Sequence, residues 1–204
     1  MARLVFTSTS AVYGAGGPHD EGSLCRPTGP YAQSKLDAEQ AILAATTRGL
    51  RPTILRTGSL YGLAPVTRFD AFANRFAYLA GVGRPLTVYG DGVQRRPLVH
   101  VRDATAAIRL ALQQPLPGLI YNVVTASPSV LEVVDAVHAT RPDIPVHFTE
   151  QDIRTHVSFE VEASALRAAG WQPEVGLVAG IEELLARFVH LRRGQMAGSE
   201  VDEI

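Results

Sequence analysis

Short β-forming runs alternate with helix-forming stretches along most of the chain, and this alternation limits the fold more than any other feature. Residues 3–7 are apolar and β-rich, and residues 31–48 are rich in Ala, Gln, Leu and Glu and stop at Gly49. Residues 51–56 are β-forming again, entered through Pro52. The same reading gives helices at 69–80, 103–114, 129–140, 164–169 and 177–192. Strands or extended segments fall at 86–89, 97–101, 119–124 and 146–149. Repeating β-α units mean parallel strands joined by helical crossovers, so the expected fold class is α/β with a parallel sheet. Residues 8–30, dense in Gly and Pro, read as one long loop, and Gly14-Ala15-Gly16-Gly17 reads as flexible. Phe69, Phe72, Phe76 and Leu79 recur at helical spacing and read as a core face. A composition shift between about residues 60 and 85 divides the chain into units 1–62 and 63–193, followed by a polar tail, 194–204, left without structure.

With 204 residues, 46 % of them apolar, the chain is expected to form a globular body rather than a disordered one. Its apolar runs fall far short of the roughly 20 residues that cross a bilayer. Net charge of −1 without a basic stripe argues against nucleic acid, so the expected partner is a small molecule. Cys25 is the single cysteine and the N-terminus lacks the apolar segment of a signal peptide, which together point to a reducing cytoplasm. His19, His100, His138, His147, His156 and His190 lack metal-ligand spacing, so no metal site is expected.

Lys35 is the lone lysine among 19 basic side chains. Tyr31 lies four residues before it in the expected helix, which places both on one face. A phenol ionises near pH 10, and an ammonium held beside it lowers that value. The pair can therefore act as a general acid/base on a sugar or alcohol hydroxyl. The same spacing by itself also fits a surface lysine beside a half-buried tyrosine. Thr7-Ser8-Thr9-Ser10 closes the first strand with hydroxyls at its carboxyl end, where ligands of open α/β sheets bind. A threonine there can hydrogen-bond the substrate oxygen that Tyr31 serves.

The stretch from Leu4-Val5-Phe6-Thr7-Ser8-Thr9 to Val12-Tyr13-Gly14, followed by Tyr31-Ala32-Gln33-Ser34-Lys35, resembles the extended short-chain dehydrogenase/reductases, especially the NAD-dependent nucleotide-sugar epimerase/dehydratase family. Arg56-Thr57-Gly58-Ser59-Leu60-Tyr61-Gly62, Gly90-Asp91-Gly92-Val93-Gln94-Arg95-Arg96 and Val101-Arg102-Asp103 are similar to later motifs of that family, in the same order. The resemblance implies a partial Rossmann-type sheet with a small α/β substrate-binding lobe. It implies Thr9, Tyr31 and Lys35 as catalytic residues. Ser8, Tyr31, Lys35, Arg56, Thr57 and Gly58 would contact NAD, with NADP not excluded. Thr9, Ser59 and Arg96 would contact a nucleotide-sugar substrate, Arg96 at its diphosphate. A homodimer through the Tyr31 helix is also implied.

Three departures shape the functional expectation. Ser10 and Ala11 stand where the dehydratases of the family carry carboxylates, so epimerisation or ketoreduction is expected over dehydration. Ser59 replaces a usual Asn and Pro97 a usual Asp. The glycine fingerprint that cradles the dinucleotide pyrophosphate is missing, so the chain is read as lacking roughly the first third of the fold. An exposed edge on the first strand is the expected consequence. Three readings follow: an NAD-dependent nucleotide-sugar epimerase, an NAD(P)H-dependent nucleotide-sugar ketoreductase, or an inactive truncated fragment that binds a sugar nucleotide or a partner.

Overall fold

A computed structural model describes residues 3–150 and 157–188. Its centre is a three-stranded parallel sheet in the order β1 (Arg3–Thr9), β3 (Arg51–Thr57), β7 (Ile120–Val123). The crossover from β1 to β3 is α1 (Pro30–Ala44). Its start is set by Gly29, with φ of 122°, and Pro30 at the first turn, where a missing N–H costs nothing. A 3-10 turn (Ala45–Arg48) closes on Gly49 in the left-handed region, as the sequence expects of a helix stop. The return to β7 uses α3 (Val101–Gln113), which turns its small residues Ala104, Ala107 and Ala111 into the core. The central strand β3 buries Ile54 and Leu55 completely, whereas Leu4, Val5 and Phe6 of β1 are only half-buried. Among the described residues β1 pairs with β3 alone, so its other edge is open.

Among the described residues there are three further parallel pairs. These are β4 (Ser59–Tyr61) with β6 (Leu98–His100), β5 (Leu86–Tyr89) with β8 (Val146–Thr149), and β2 (Gly16–His19) with β9 (Phe159–Val161). Two cores result. One gathers Leu55, Val99, Ala107, Tyr121, Leu166 and Trp171 around the central sheet. The other packs α2 (Phe72–Gly81), α4 (Val130–His138) and α5 (Leu177–Phe188) together through Phe76, Val133, Leu184 and Leu185. α4 starts with a capping box, in which the Ser129 hydroxyl accepts from Glu132 N–H and the Glu132 carboxylate accepts from Ser129 N–H.

Several sequence expectations need correction. Residues 8–30 are not one loop: β1 runs on to Thr9, a 3-10 turn covers Ser10–Tyr13, and the glycine segment forms β2. The reason is distant in sequence. Gly17 leaves room for Glu160, whose carbonyl oxygen would lie 2.4 Å from a Cβ at that position. The helix expected from residue 69 begins at Phe72, because Asn74 holds the preceding loop by accepting from Gly62 N–H and donating to the Arg68 carbonyl. Phe69 lies outside the helix but still meets Tyr78 and Phe188, so the expected aromatic face is a packing surface. Strands β4 and β9, of three residues each, have no counterpart in the sequence reading. Residues 189–192 of the last expected helix, the tail 194–204, His156 and His190 lie outside the described residues.

Candidate active site

The carboxyl ends of β1, β3 and β7 lie side by side, with Thr9 in register with Thr57 and Thr57 with Val123. Ligands of open α/β sheets bind outside this end of the strands, where side chains and loops can meet them. The Thr9 hydroxyl accepts from Ala11 N–H at 3.2 Å, capping the 3-10 turn, and its own proton remains to be donated. Thr57 donates its hydroxyl to the Leu55 carbonyl at 3.3 Å. Lys35 reaches across from α1: its Nζ donates to the Thr7 carbonyl at 3.0 Å and sits 4.9 Å over the Phe6 ring. Tyr31 stands one helical turn earlier on the same stripe and is 62 % exposed. The lone ammonium and an accessible phenol are thus held at the ligand-binding end of the sheet.

Gly58 continues from β3 toward the segment that carries Pro97. Its N–H donates to the Val123 carbonyl and the next N–H, of Ser59, donates to the Pro97 carbonyl at 2.8 Å. A Cβ at Gly58 would come within 2.9 Å of the Pro97 oxygen, so only glycine allows this approach. The contact brings residues 57–59 against 96–97, although almost forty positions separate them. Ser59 is exposed at this junction.

Arg96 is largely withdrawn from water. Its Nη1 donates to the Val157 carbonyl and its buried Nη2 has no hydrogen-bond partner among the described residues. Burial alone pulls the guanidinium below the usual arginine range. That Nη2 can donate its N–H groups to an anion. Its neighbour Arg95 is half-exposed and already pairs with Glu132 at 3.4 Å and Glu160 at 3.7 Å.

A network that sequence reading missed lies below the strand ends. Ser8, Arg56 and Asn122 occupy one row across the three strands and are all buried. Glu39 of α1, 1 % exposed, accepts from Ser8 Oγ at 2.5 Å and from Arg56 through Nε at 3.1 Å and Nη2 at 2.7 Å. Arg56 Nη1 donates to the Tyr13 hydroxyl at 3.0 Å, and that hydroxyl donates to Asn122 Oδ1 at 2.8 Å. Burial outweighs the nearby guanidinium and pushes the Tyr13 phenol up. Ser8 and Arg56 are therefore committed to Glu39 by their side chains, and what they can offer a cofactor is their main chain. The signal was available: Glu39 follows Tyr31 and Lys35 at the same four-residue step.

Asp103 also serves the interior. Its two carboxylate oxygens accept from Glu174 N–H at 2.9 Å and Val175 N–H at 3.2 Å, and its carbonyl accepts from Trp171 Nε1 at 3.0 Å. His100 is buried against Tyr61, whose phenol burial pushes up to about 12. Among the described residues no cluster of His, Cys, Asp and Glu is arranged to hold a metal, and no helix is long and apolar enough to cross a membrane. An open groove of about 330 Å³ between residues 63–65 and α3 contains none of the expected site residues.

Residues 1–124, more than half of the chain, match the NAD dependent epimerase/dehydratase family. The chain belongs to that family. It is 26 % identical over 195 residues to dTDP-D-glucose 4,6-dehydratase of Mus musculus, an alignment covering 90 % of this chain and 54 % of that protein. Among solved structures, MoeE5 in complex with UDP-glucuronic acid and NAD superposes with a TM-score of 0.80 at 31 % identity, covering 91 % of this chain and 64 % of MoeE5. The UDP-glucose 4-epimerase of Thermus thermophilus in complex with NAD gives 0.79 at 32 % identity, covering 92 % and 64 %. The chain spans a little over half the length of the mouse relative, and less than two thirds of the two solved proteins. The α/β architecture with parallel strands and a Rossmann-like centre, expected from the sequence, is that of these family structures.

Proposed function

We propose that this chain carries the sugar-reacting part of an NAD-dependent nucleotide-sugar epimerase, in which a hydride leaves a sugar carbon and returns to its opposite face. The observation that carries the reading is the place of the lone ammonium. Lys35 Nζ is held at the Thr7 carbonyl, beside the strand ends, one turn from the exposed Tyr31. Tyr31 takes the proton of the sugar hydroxyl as its carbon is oxidised and returns it when the keto sugar is reduced. Thr9 donates its free proton to the same oxygen. Lys35 adds positive charge beside the phenol and a donor for the nicotinamide ribose. Arg96, whose buried Nη2 has no hydrogen-bond partner among the described residues, takes the substrate diphosphate, and exposed Ser59 contacts the sugar from the junction.

NAD, when bound, supplies the hydride acceptor and donor. The main chain of Ser8 and of residues 56–58, with the Thr57 hydroxyl, lines the strand ends where its nicotinamide half would fit. Gly14, Gly16 and Gly17 lead into β2 rather than into a helix, so they do not form a pyrophosphate cradle. The residues named here serve NAD and NADP alike. Although the mouse relative is a dehydratase, the turn after Thr9 carries Ser10 and Ala11, and neither can supply the further acid or base that loss of water requires. Pairing of two copies through α1 and residence in a reducing cytoplasm, where a single half-buried Cys25 stays a thiol, belong to the same reading.

The test uses the purified 204-residue chain with NAD and either UDP-glucose or UDP-glucuronic acid, separating products by ion-exchange chromatography. Interconversion of 4-epimers without net reduction of NAD is expected, lost in Tyr31→Phe and weakened through KM in Arg96→Leu. Stoichiometric oxidation of NADPH would make the protein a ketoreductase. Binding of UDP with neither NAD binding nor turnover would leave a sugar-nucleotide-binding fragment.

A further inference from the structure

We propose that Glu39 is a positioning residue: by gripping Arg56 and Ser8 beneath the sheet, it sets the rotation and height of α1 and so the stance of Lys35 and Tyr31. The argument starts from how little else seats this helix. Ala32 and Glu39 are the buried residues of α1, and Leu36, Ile42 and Leu43 are its half-buried aliphatic side chains. Gln33, Ser34, Asp37 and Gln40 are exposed, as are the small Ala41 and Ala44, so this face adds nothing that anchors the helix. Half-buried aliphatic contacts of this kind hold a helix to the sheet without a fixed direction, so they leave it some freedom to roll. Glu39 removes that freedom. Its carboxylate takes hydrogen bonds from two neighbouring strands at once, Ser8 of β1 and Arg56 of β3, and the planar guanidinium binds it through two nitrogens in a fixed direction.

The far side of the clamp is equally fixed. Arg56 lies 4.9 Å from the Tyr13 ring and donates to its hydroxyl, which is tied in turn to Asn122 of β7. Asn122 Nδ2 donates to the Glu162 carbonyl at 2.8 Å, and Asn122 N–H donates to the Glu21 carboxylate. Each step from Tyr31 to Lys35 to Glu39 is four residues, so the three side chains descend one stripe of α1 and a rotation at Glu39 is felt at the other two. The consequence for catalysis rests on the epimerase reading above; the positional claim does not.

The lone lysine makes the claim measurable. Reductive methylation with 13C-formaldehyde labels the Lys35 side chain and the α-amine, and the Phe6 ring displaces the Lys35 methyl resonance from its value in a free peptide. Glu39→Gln is expected to lose most of that displacement while the α-amine resonance stays in place. Val133→Ala, which weakens the second core without touching the network, is expected to keep it. Ser8→Ala, which removes a single donor, is expected to lose part of it. If Glu39→Gln does not fold, the paired variant Glu39→Leu with Arg56→Met removes both charges and is expected to fold with the displacement lost. A folded Glu39 variant that retains the native Lys35 resonance overturns the proposal. When the unsubstituted chain turns over nucleotide sugar, the Glu39 variants are expected to lose kcat with KM nearly unchanged, and Val133→Ala to keep both. An unsubstituted chain that binds neither NAD nor sugar defeats the epimerase reading and leaves the resonance test standing.

Discussion

Replacing Glu39 by alanine should destabilise the protein severely, and the structure says by how much. The Arg56 guanidinium, 4 % exposed, would lose its carboxylate partner and keep the Tyr13 hydroxyl among the described residues. Breaking a buried ion pair by removing one member costs about 3–5 kcal/mol, because the other charge stays buried without compensation. Ser8 would also lose its acceptor, which adds about 1 kcal/mol. The expected total, roughly 4–6 kcal/mol, is a large share of the ~5–15 kcal/mol by which domains are stable. Urea unfolding followed by the fluorescence of Trp171, the single tryptophan and 2 % exposed, measures it directly. Glu39→Leu combined with Arg56→Met should recover most of the loss, since apolar residues of similar volume can replace a buried pair at little cost. A Glu39→Ala loss below about 1 kcal/mol, the level of an exposed pair, would show that water solvates Arg56 and would refute the reasoning.

Three further outcomes are expected. Gly58→Ala should cost about 1–3 kcal/mol in the same urea assay, because its Cβ would press on the Pro97 carbonyl oxygen at 2.9 Å and on Val124 Cγ2 at 3.2 Å. His100 is fully buried, and burial lowers its pKa from the ordinary 6.5 against the opposing pull of Glu183. The unfolded chain then binds a proton that the folded chain does not, so stability should fall as pH drops below about 6.5, and His100→Asn should flatten that fall in a pH series of thermal melts. Ser129→Ala breaks the capping box of α4 and should lower stability by about 1 kcal/mol, measured as a shift in urea midpoint at unchanged slope.

Much of the protein follows from local sequence. The β-α alternation, the stop at Gly49 and the Tyr31 to Lys35 spacing depend on residues a few positions apart, and the structure contains the elements and the shared helical stripe they specify. The family motifs were legible for the same reason, since each is a short run of chain. Tertiary structure decided the rest. Gly16–His19 is a strand because Phe159–Val161 lies beside it, and Gly58 is needed because Pro97 passes within contact. Arg56, read from its motif as a cofactor contact, is turned into the interior by a glutamate seventeen residues away on another element. Arg96 Nη2 is buried without a hydrogen-bond partner among the described residues because distant segments close over it. Composition and periodicity act over a few residues, whereas solvent exclusion, close approach and charge pairing depend on which distant segments the fold brings together.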